Sequence, residues 1–271
     1  MYIISYNILN HIKPNLKILL RNYDNKLVNQ IIKNEIDRNN IIETKLIKVL
    51  QKESENIIFL QEVNEKILKK LKKIFFLFHT KELDYNNKKE YRVIILPKKF
   101  KEYKILCHEI KLTTSNSKKN GLMLIINNLI LINLHLYWKL DNNELQNFAE
   151  KISNEINKKN IFNPKIIIGG DFNKSIKKVK KYFIDKFSYK LINHYTNYKN
   201  NFTSYNTDIT ETKDKDIIDH IITTTNIKTK NTEIIDNDLF IDLELYTTIL
   251  SNKYTESKYI SDHKMIKLEI L

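Results

Sequence analysis

Strand-length apolar segments that end in polar residues are the feature that most constrains the fold of this chain. They occur at Tyr2–Tyr6, Ile57–Leu60, Tyr91–Leu96, Ile105–Leu112, Leu122–Ile126, Leu129–Leu136, Ile166–Ile168, Ile217–Thr223 and Met265–Leu271. Several are apolar at every position, which is typical of strands buried on both faces. Such strands need cover on both sides of the sheet, so the segments predict a layered protein.

Stretches with helical spacing of apolar residues lie between these segments. They cover Ile41–Lys52, Asn64–Lys73, Asn142–Lys158 and Ser175–Phe187. Some strands alternate with these helices, whereas others are joined directly by polar pairs such as Asn127-Asn128. We therefore predict an α/β fold in which mixed sheets are covered by helices.

Two polar stretches interrupt this pattern. Lys13–Arg38 has scattered leucines and isoleucines, and we predict an early helical insertion there. Asn197–Lys215 is typical of a long surface loop. Neither stretch has the composition of a linker, and 271 residues can bury one large core. We predict a single domain over residues 1–271.

The charge balance favours a polyanionic partner. Lysine and arginine together number 46 against 32 acidic residues, which gives a formal net charge of +14. The only arginines are Arg21, Arg38 and Arg92, so the charge is almost entirely lysine. Lysine is a point charge and does not recognise bases bidentately. Nucleic acid is therefore the first expectation for the partner.

The cysteine content and the apolar profile bear on location. Cys107 is the only cysteine and cannot form an intrachain disulfide, and the chain opens on a strand-like segment without the pattern of a cleaved leader. The most apolar stretch, Leu122–Trp138, is interrupted by asparagines and a histidine. We predict an intracellular, cytoplasmic protein with no membrane span.

Polar residues with catalytic potential follow the apolar segments, where an α/β sheet presents its site. They are Asn7, Gln61-Glu62, Asn133, His135, Asp171, Asn173, Asp219-His220 and Asp262-His263. Singly, each has an ordinary structural explanation as a turn residue, a helix cap or a satisfied histidine. The pair Gly169-Gly170 is more telling, because the chain has only three glycines. It predicts backbone that turns tightly or approaches a ligand closely.

Taken together, these residues indicate one kind of chemistry. Glu62, Asp171, Asp219 and Asp262 offer carboxylates, Asn7 and Asn173 offer amides, and His135 and His263 offer imidazoles. Carboxylates without thiolates favour Mg²⁺ over zinc, with Mn²⁺ as an alternative. Hydrolysis of a phosphate ester needs a metal, a base for water and donors for developing charge. The set therefore predicts metal-dependent phosphoester hydrolysis.

The order of these motifs resembles the endonuclease/exonuclease/phosphatase superfamily along almost the whole chain. The motifs are Ser5-Tyr6-Asn7-Ile8-Leu9, Phe59-Leu60-Gln61-Glu62-Val63, Asn133-Leu134-His135-Leu136, Gly170-Asp171-Phe172-Asn173, Ile218-Asp219-His220-Ile221 and Ser261-Asp262-His263. The resemblance implies a two-sheet α/β sandwich, similar to deoxyribonuclease I, with helices on the outer faces. It also implies a magnesium-dependent phosphodiesterase.

Within that superfamily, the chain is most similar to the branch of the deadenylases, nocturnin and the mitochondrial 2′-5′ phosphodiesterase. His135-Leu136-Tyr137-Trp138 followed by Leu145-Gln146, and Tyr195-Thr196-Asn197-Tyr198, resemble segments of that branch. The strand from Tyr91-Arg92 to Lys99-Phe100 also resembles it, with Glu90 as the counterpart of an active-site glutamate after a one-residue shift. An RNA nuclease, such as a 3′ exonuclease, is the implied activity.

The resemblance implies a role for each residue. Glu62 would be the main metal ligand, assisted by Asn7 and supported by Asp262. Asp171, beside Asn173, would position or deprotonate the attacking water. His135 would donate to a phosphate oxygen. His263 would contact the scissile phosphate and be oriented by Asp219, with Glu90 in support.

Departures from the branch bear on the substrate. Leu134 and His220 replace its usual threonine and tyrosine, and Leu140 and Asp214 stand where it has a proline and an aromatic used against adenine. An acidic side chain cannot stack on a base, so we expect loose base choice.

Three other interpretations of the sequence stay open. One is a DNA endonuclease of the apurinic/apyrimidinic type, although Val63-Asn64 replaces the Thr-Lys that follows the metal glutamate there. Another is an inositol phosphatase, although no arginine follows Asn173 in the expected way. The third is a catalytically silent RNA-binding module that grips RNA through its lysines.

Overall fold

The computed structural model describes residues 1–8, 43–44, 46–83, 89–113, 118–137, 139–194, 204–205, 215–235 and 265–271. The predictions on Lys13–Arg38, Asp214, Asp262 and His263 lie outside these residues, as does most of Asn197–Lys215.

Strands dominate the described part of the chain. They are β1 Tyr2–Asn7, β2 Ile57–Val63, β3 Phe76–Leu83, β4 Lys89–Leu96, β5 Ile105–Thr113, β6 Lys118–Ile126, β7 Leu129–His135, β8 Lys165–Asp171, β9 Leu191–His194, β10 Ser204–Tyr205, β11 Lys215–Asp216, β12 Asp219–Thr224, β13 Thr229–Ile235 and β14 Met265–Ile270. The α-helices are α1 Glu65–Ile74, α2 Asn142–Asn157 and α3 Ile176–Tyr182, and residues 46–52 are also helical. Short 3₁₀ turns cover Lys98–Glu102 and Ile184–Lys186.

The strands form two six-stranded mixed sheets and a small two-stranded ribbon. The first sheet has the order β13-β14-β1-β2-β4-β3, and the second has the order β5-β6-β7-β8-β12-β9. β1 and β2 are parallel, as are β7 and β8, whereas the other pairs in both sheets are antiparallel. This arrangement confirms the predicted α/β fold with two mixed sheets.

The sheets pack face to face, and helices cover their outer faces. Between the sheets lies an apolar layer that includes Phe59 of the first sheet and Ile167 of the second. Helix α1 and the helical residues 46–52 pack on the outer face of the first sheet. Helices α2 and α3 pack on the outer face of the second. Burial of both faces explains why several strands are apolar at every position.

Helix starts are fixed by local hydrogen bonds. Asn64 caps α1 by accepting a bond from the Ile67 backbone N–H at 2.7 Å. Asp141 and Glu144 form a reciprocal capping box at the start of α2. Both helices follow strands that end at the same side of the sandwich, so the caps also fix the loops that border this end.

We call this end of the sandwich the mouth. The parallel strands β1 and β2 end there with Asn7 opposite Gln61. On the facing sheet, β7 and β8 end there with His135 opposite Asp171. Because Cβ atoms alternate along a strand, Asn7, His135 and Asp171 share the inward face of their strands with the apolar layer between the sheets. The topology therefore gathers residues that are far apart in sequence.

Some predicted features differ from the structure. β3, β9 and β13 are strands that the apolar segments did not indicate, and the helix predicted over Ser175–Phe187 ends as an α-helix at Tyr182. The glycine pair lies within strand β8, so the predicted tight turn is wrong. A Cβ on Gly169 would lie 2.2 Å from the Phe59 ring, and one on Gly170 (φ +144°) would lie 1.9 Å from the Leu134 carbonyl oxygen. The glycines allow the sheets and neighbouring strands to approach closely.

Candidate active site

Four side chains from four strands meet at the mouth. The Asn7 Nδ2 donates to Glu62 Oε1 at 2.9 Å and to Asp171 Oδ2 at 3.0 Å. The His135 Nε2 lies 3.6 Å from Glu62 Oε1 and 3.8 Å from Asp171 Oδ2. We call Asn7, Glu62, His135 and Asp171 the mouth cluster. The last two distances are too long for direct hydrogen bonds. The imidazole and both carboxylates nevertheless lie close together, with one atom of each within 4.8 Å of the other two.

Glu62 reaches this position through an unusual backbone. The β2–β4 pairing shifts register between Leu60 and Val63, and Glu62 lies in this irregularity with φ +54°. A left-handed conformation is uncommon for glutamate and costs on the order of 1 kcal/mol or more. Strain of this kind is concentrated at functional sites. The strained carboxylate is also the most accessible group of the cluster, with 15% of its side chain exposed.

Asp171 is held by the turn that follows β8. The backbone N–H of Asn173 donates to Asp171 Oδ1 at 2.8 Å, and the Asn173 Nδ2 donates to the Leu136 carbonyl at 2.9 Å. Asn173 itself has φ +51°, a conformation that asparagine tolerates better than most residues. Asn173 therefore fixes both the carboxylate and the end of β7.

Asp219 lies beside Asp171 on the neighbouring strand. The two are direct partners in the antiparallel β8–β12 ladder, and both are buried. Side chains opposite each other in such a ladder have Cβ atoms about 5 Å apart. Two carboxylates are thus adjacent on one strand pair, with Glu62 close to Asp171 from the other sheet. This concentration of negative charge favours a cation at the mouth.

Two buried basic residues near the mouth, Arg92 and Lys174, were not singled out as functional from the sequence. Arg92 is fully buried on β4, and its Nη2 donates to the His135 carbonyl at 3.2 Å. Lys174 follows Asn173 and is largely buried. Burial lowers the Lys174 pKa, as does the charge of Lys178, while the carboxylates of Glu144, Asp141 and Asp171 raise it. Among so many lysines, nothing in the sequence distinguished this one.

Two other residues that the sequence singled out, His220 and Glu90, lie outside the mouth cluster. His220 lies next to Asp219 but on the outer face of β12, where its Nε2 bonds to the Lys174 carbonyl at 2.9 Å and its Nδ1 lies 3.0 Å from Asn193 Nδ2. Burial lowers its pKa to about 4. Glu90 is buried near the start of β4, one residue before Tyr91, the partner of Val63 in β2. It therefore lies at the mouth end of the first sheet.

The residues of the mouth cluster fit a divalent cation. Glu62, His135 and Asp171 each present a ligand atom, and these atoms all lie within 4.8 Å of one another. Two of the three donors are carboxylate oxygens, and Cys107 is not part of the group. Oxygen-rich sets of this kind suit Mg²⁺ and Mn²⁺.

Comparison with known proteins agrees with the strand order. No family model and no curated relative matches the sequence, but solved structures match along the whole chain. TDP2 from D. rerio, complexed with single-strand DNA product, matches with a TM-score of 0.63 at 16% identity over 100% of this chain and 98% of that one. The chain has the endonuclease/exonuclease/phosphatase fold. The two-sheet sandwich implied by the motifs is confirmed.

Two further matches show how widely substrates vary on this fold. ANGEL2, a 2′,3′-cyclic phosphatase in complex with adenosine-2′,3′-vanadate, has a TM-score of 0.65 at 13% identity, over 99% of this chain and 95% of that one. A mannosyl-6-phosphatase from Bacteroides thetaiotaomicron has a TM-score of 0.67 at 17% identity, over 100% and 99%. At these identities the likeness establishes the fold alone. None of the described helices combines the length and apolarity needed to span a membrane.

Proposed function

We propose that this protein is a divalent-metal-dependent phosphodiesterase that hydrolyses RNA-type phosphodiesters with loose base choice. The observation that carries the proposal is the mouth cluster, in which Glu62, His135 and Asp171 converge and Asn7 bonds to both carboxylates. Buried carboxylates so close together cost the fold free energy unless a cation offsets their charge. Such a site suits a substrate that is itself an anion.

Each residue of the cluster has a distinct task in this proposal. Glu62 and Asn7 would hold Mg²⁺ or Mn²⁺, which would neutralise charge on the phosphoryl oxygens when bound. Asp171 positions the attacking water and accepts its proton on a carboxylate oxygen, while the Asn173 N–H keeps that carboxylate oriented. In this assignment His135 is a hydrogen-bond donor and not a metal ligand, and its Nε2–H donates to a phosphate oxygen.

Two further residues complete the proposed site from outside the described part of the chain. β14 begins at Met265, and Ile266 pairs with Ser5 near the mouth end of β1. The start of β14 therefore lies at the mouth end of the first sheet. We assign His263 to contact with the scissile phosphate, with Asp219 as its orienting carboxylate and Asp262 as support for the metal. Glu90 keeps its assignment as supporting carboxylate.

The choice of RNA rests on sequence. The segments around His135 and Tyr195–Tyr198 resemble the deadenylase and 2′-5′ phosphodiesterase branch, and the net charge of +14 favours a polyanion. The likeness to ANGEL2, whose ligand is an adenosine derivative, is compatible with a ribonucleotide substrate. An intracellular location agrees with such a substrate.

The direct test is a panel of labelled substrates, each with Mg²⁺ and with excess chelator. The panel contains 3′-5′ RNA, 2′-5′ oligoadenylate, single-stranded DNA and duplex DNA with an abasic site. We expect metal-dependent hydrolysis, faster for the RNA-type substrates than for abasic DNA. Binding without hydrolysis of any substrate would contradict the proposal and favour a silent RNA-binding module.

DNA is the second candidate substrate. TDP2, which shares the fold, was crystallised with a single-strand DNA product. If DNA is the substrate, the two DNA substrates of the panel will be hydrolysed faster than RNA. That result would support the proposed chemistry at the mouth and contradict the choice of RNA.

A further inference from the structure

Two helices of this protein are rich in lysine, but their lysines have different surroundings. On α1, Lys66 and Lys70 both pair with Glu43, the former at 2.6 Å, and Lys69 pairs with Glu65 at 3.1 Å. Ion pairs of this kind offset the charge of the helix. Three of the five lysines of α1 are therefore paired with carboxylates of the protein itself.

Helix α3 has no such compensation. Lys177, Lys178, Lys180 and Lys181 are all exposed, and α3 contains no acidic residue. Within the part of the chain that the structure describes, none of the four forms an ion pair, although the Lys181 ammonium lies 5.0 Å from the centre of the Tyr182 ring. We call these four residues the α3 lysine surface.

This surface is connected directly to the mouth cluster. Asn173, which bonds to Asp171, is separated from the first residue of α3 only by Lys174 and Ser175. The charge of Lys178 acts on Lys174, whose ammonium is in turn influenced by Asp171. A chain of positive charge therefore runs from the mouth onto the outside of the protein. Clustered like charges cost free energy that a bound polyanion relieves.

We propose that the α3 lysine surface binds the sugar–phosphate backbone of a nucleic-acid strand whose reacting phosphodiester lies at the mouth cluster. This inference rests on the proposed function and narrows its substrate to a polymer, as opposed to a small phosphate ester. Lysines bind phosphates as point charges, so the surface supplies affinity without recognising sequence.

The test compares two variants that lose the same charge at different places. One changes Lys177, Lys178, Lys180 and Lys181 to Gln, and the other changes Lys66, Lys69, Lys72 and Lys73 of α1 to Gln. Both sets are exposed, and both variants lose four positive charges. Binding of a labelled single-stranded oligonucleotide, as RNA and as DNA, is measured over a salt series in the Glu62→Gln background. Circular dichroism and thermal unfolding verify that both variants fold.

We expect the α3 variant to bind at least about tenfold more weakly at 0.1 M salt. Its log–log salt slope should be shallower by about 3, because each lost phosphate contact on a single strand removes about 0.7. The α1 variant should keep the slope of the parent within about 0.5, less than the loss of one contact. Equal changes in the two variants would overturn the proposal, since binding would then depend on net charge and not on α3.

Binding and hydrolysis separate this inference from the proposed function. If the unmodified protein hydrolyses nothing but binding still depends on α3, the surface stands and the proposed function falls. If RNA is hydrolysed and the α3 variant binds as tightly as the parent, the proposed function is supported and the proposal for the α3 lysine surface is contradicted.

Discussion

Two groups of polar residues lie between the sheets, and the structure satisfies them differently. The mouth cluster places two carboxylates next to one amide and one imidazole where solvent reaches Glu62. Deeper in the sandwich, Asn133 donates to the Leu60 and Val93 carbonyls, each at 2.9 Å, and accepts from Gln61 Nε2 at 2.7 Å. We call this second group the Asn133 bridge.

The difference separates a group that supports the fold from a group that we propose binds a ligand. Every bond of the Asn133 bridge joins neutral protein groups of the two sheets, so the bridge lowers the free energy of the fold and fixes how the sheets meet. The mouth cluster instead places two carboxylates close together beside an imidazole. Removing a group from the bridge should therefore cost stability, whereas neutralising a mouth carboxylate should cost activity.

The largest expected effect comes from Glu62→Gln. The substitution should lower kcat at least about a hundredfold, because it removes the proposed main metal ligand. The free energy of unfolding should stay the same or rise, since one of two close carboxylates becomes neutral. Hydrolysis with and without Mg²⁺ and chemical denaturation measure the two quantities. Glu150→Gln, on the exposed side of α2, is the matched control and should leave both unchanged. Full activity in excess chelator would contradict the metal requirement.

Asp171→Asn and His263→Ala test the other proposed roles. Each should lower kcat at least about a hundredfold, the usual scale for groups that move protons or stabilise charge. RNA binding should survive in both variants, because we propose that the α3 lysine surface holds the backbone. Loss of RNA binding with unchanged turnover in His263→Ala would refute its assignment to the scissile phosphate.

The next effect concerns the Asn133 bridge. Asn133→Ala removes one acceptor and two donors, and leaves Gln61 and the Leu60 and Val93 carbonyls without these bonds. We expect a loss of about 3 kcal/mol in the free energy of unfolding, because buried polar groups that lose their partners are costly. Urea denaturation measures it, and Asn143→Ala on the exposed start of α2 is the control. A loss no larger than that of the control would mean that the bridge is dispensable.

The sequence predicted the central strands because they are continuously apolar, and for that reason it missed peripheral ones. β13, with the sequence TKNTEII, and β9, with LINH, are edge strands with polar residues, so their burial is partial and their pattern weak. β3 is also an edge strand. Their positions depend on pairing with β14, β12 and β4, which no local pattern reveals.

More of the candidate site than of the peripheral strands could be predicted from the sequence. Asn7, Glu62, His135 and Asp171 each follow or end an apolar segment, and the topology brings all four together. Arg92 was missed as a buried partner of the His135 carbonyl because an arginine inside a strand gives no sign of which face it occupies. The turn predicted at the glycine pair was wrong because the space that these glycines provide is occupied by Phe59 and Leu134, residues far away in sequence.

The stability of the protein should depend on pH through His220, a buried histidine on the outer face of β12. Burial lowers the pKa of His220 to about 4 from 6.5, so the folded state favours the neutral imidazole. The unfolded chain therefore binds more protons between these values. The contribution of His220 is complete above pH 6.5 and is lost as pH falls towards 4, by about 3 kcal/mol at most.

Unfolding of the parent and of His220→Gln at pH 7 and pH 4.5 measures this effect. Burial also lowers the His194 pKa to about 4, but that residue is present in both proteins and cancels in the comparison. We expect the substitution to cost less stability at pH 4.5 than at pH 7. An equal cost at both values would show that His220 does not titrate in this range.

The smallest expected effect is the difference in rate between poly(A) and mixed-sequence RNA. Leu140, at a position where the resemblance implies contact with adenine, is 5% exposed and belongs to the apolar core that includes α2, so its side chain is not presented to a base. Asp214, at the second such position, cannot stack on a base. Binding through lysines is blind to sequence. The two rates, measured at equal salt and substrate concentration, should therefore differ by less than about tenfold, the effect of roughly 1.4 kcal/mol. A much larger preference for poly(A) would mean that another aromatic, such as Phe202 or Tyr205, stacks on the base, and the assignment of loose base choice to Leu140 and Asp214 would be wrong.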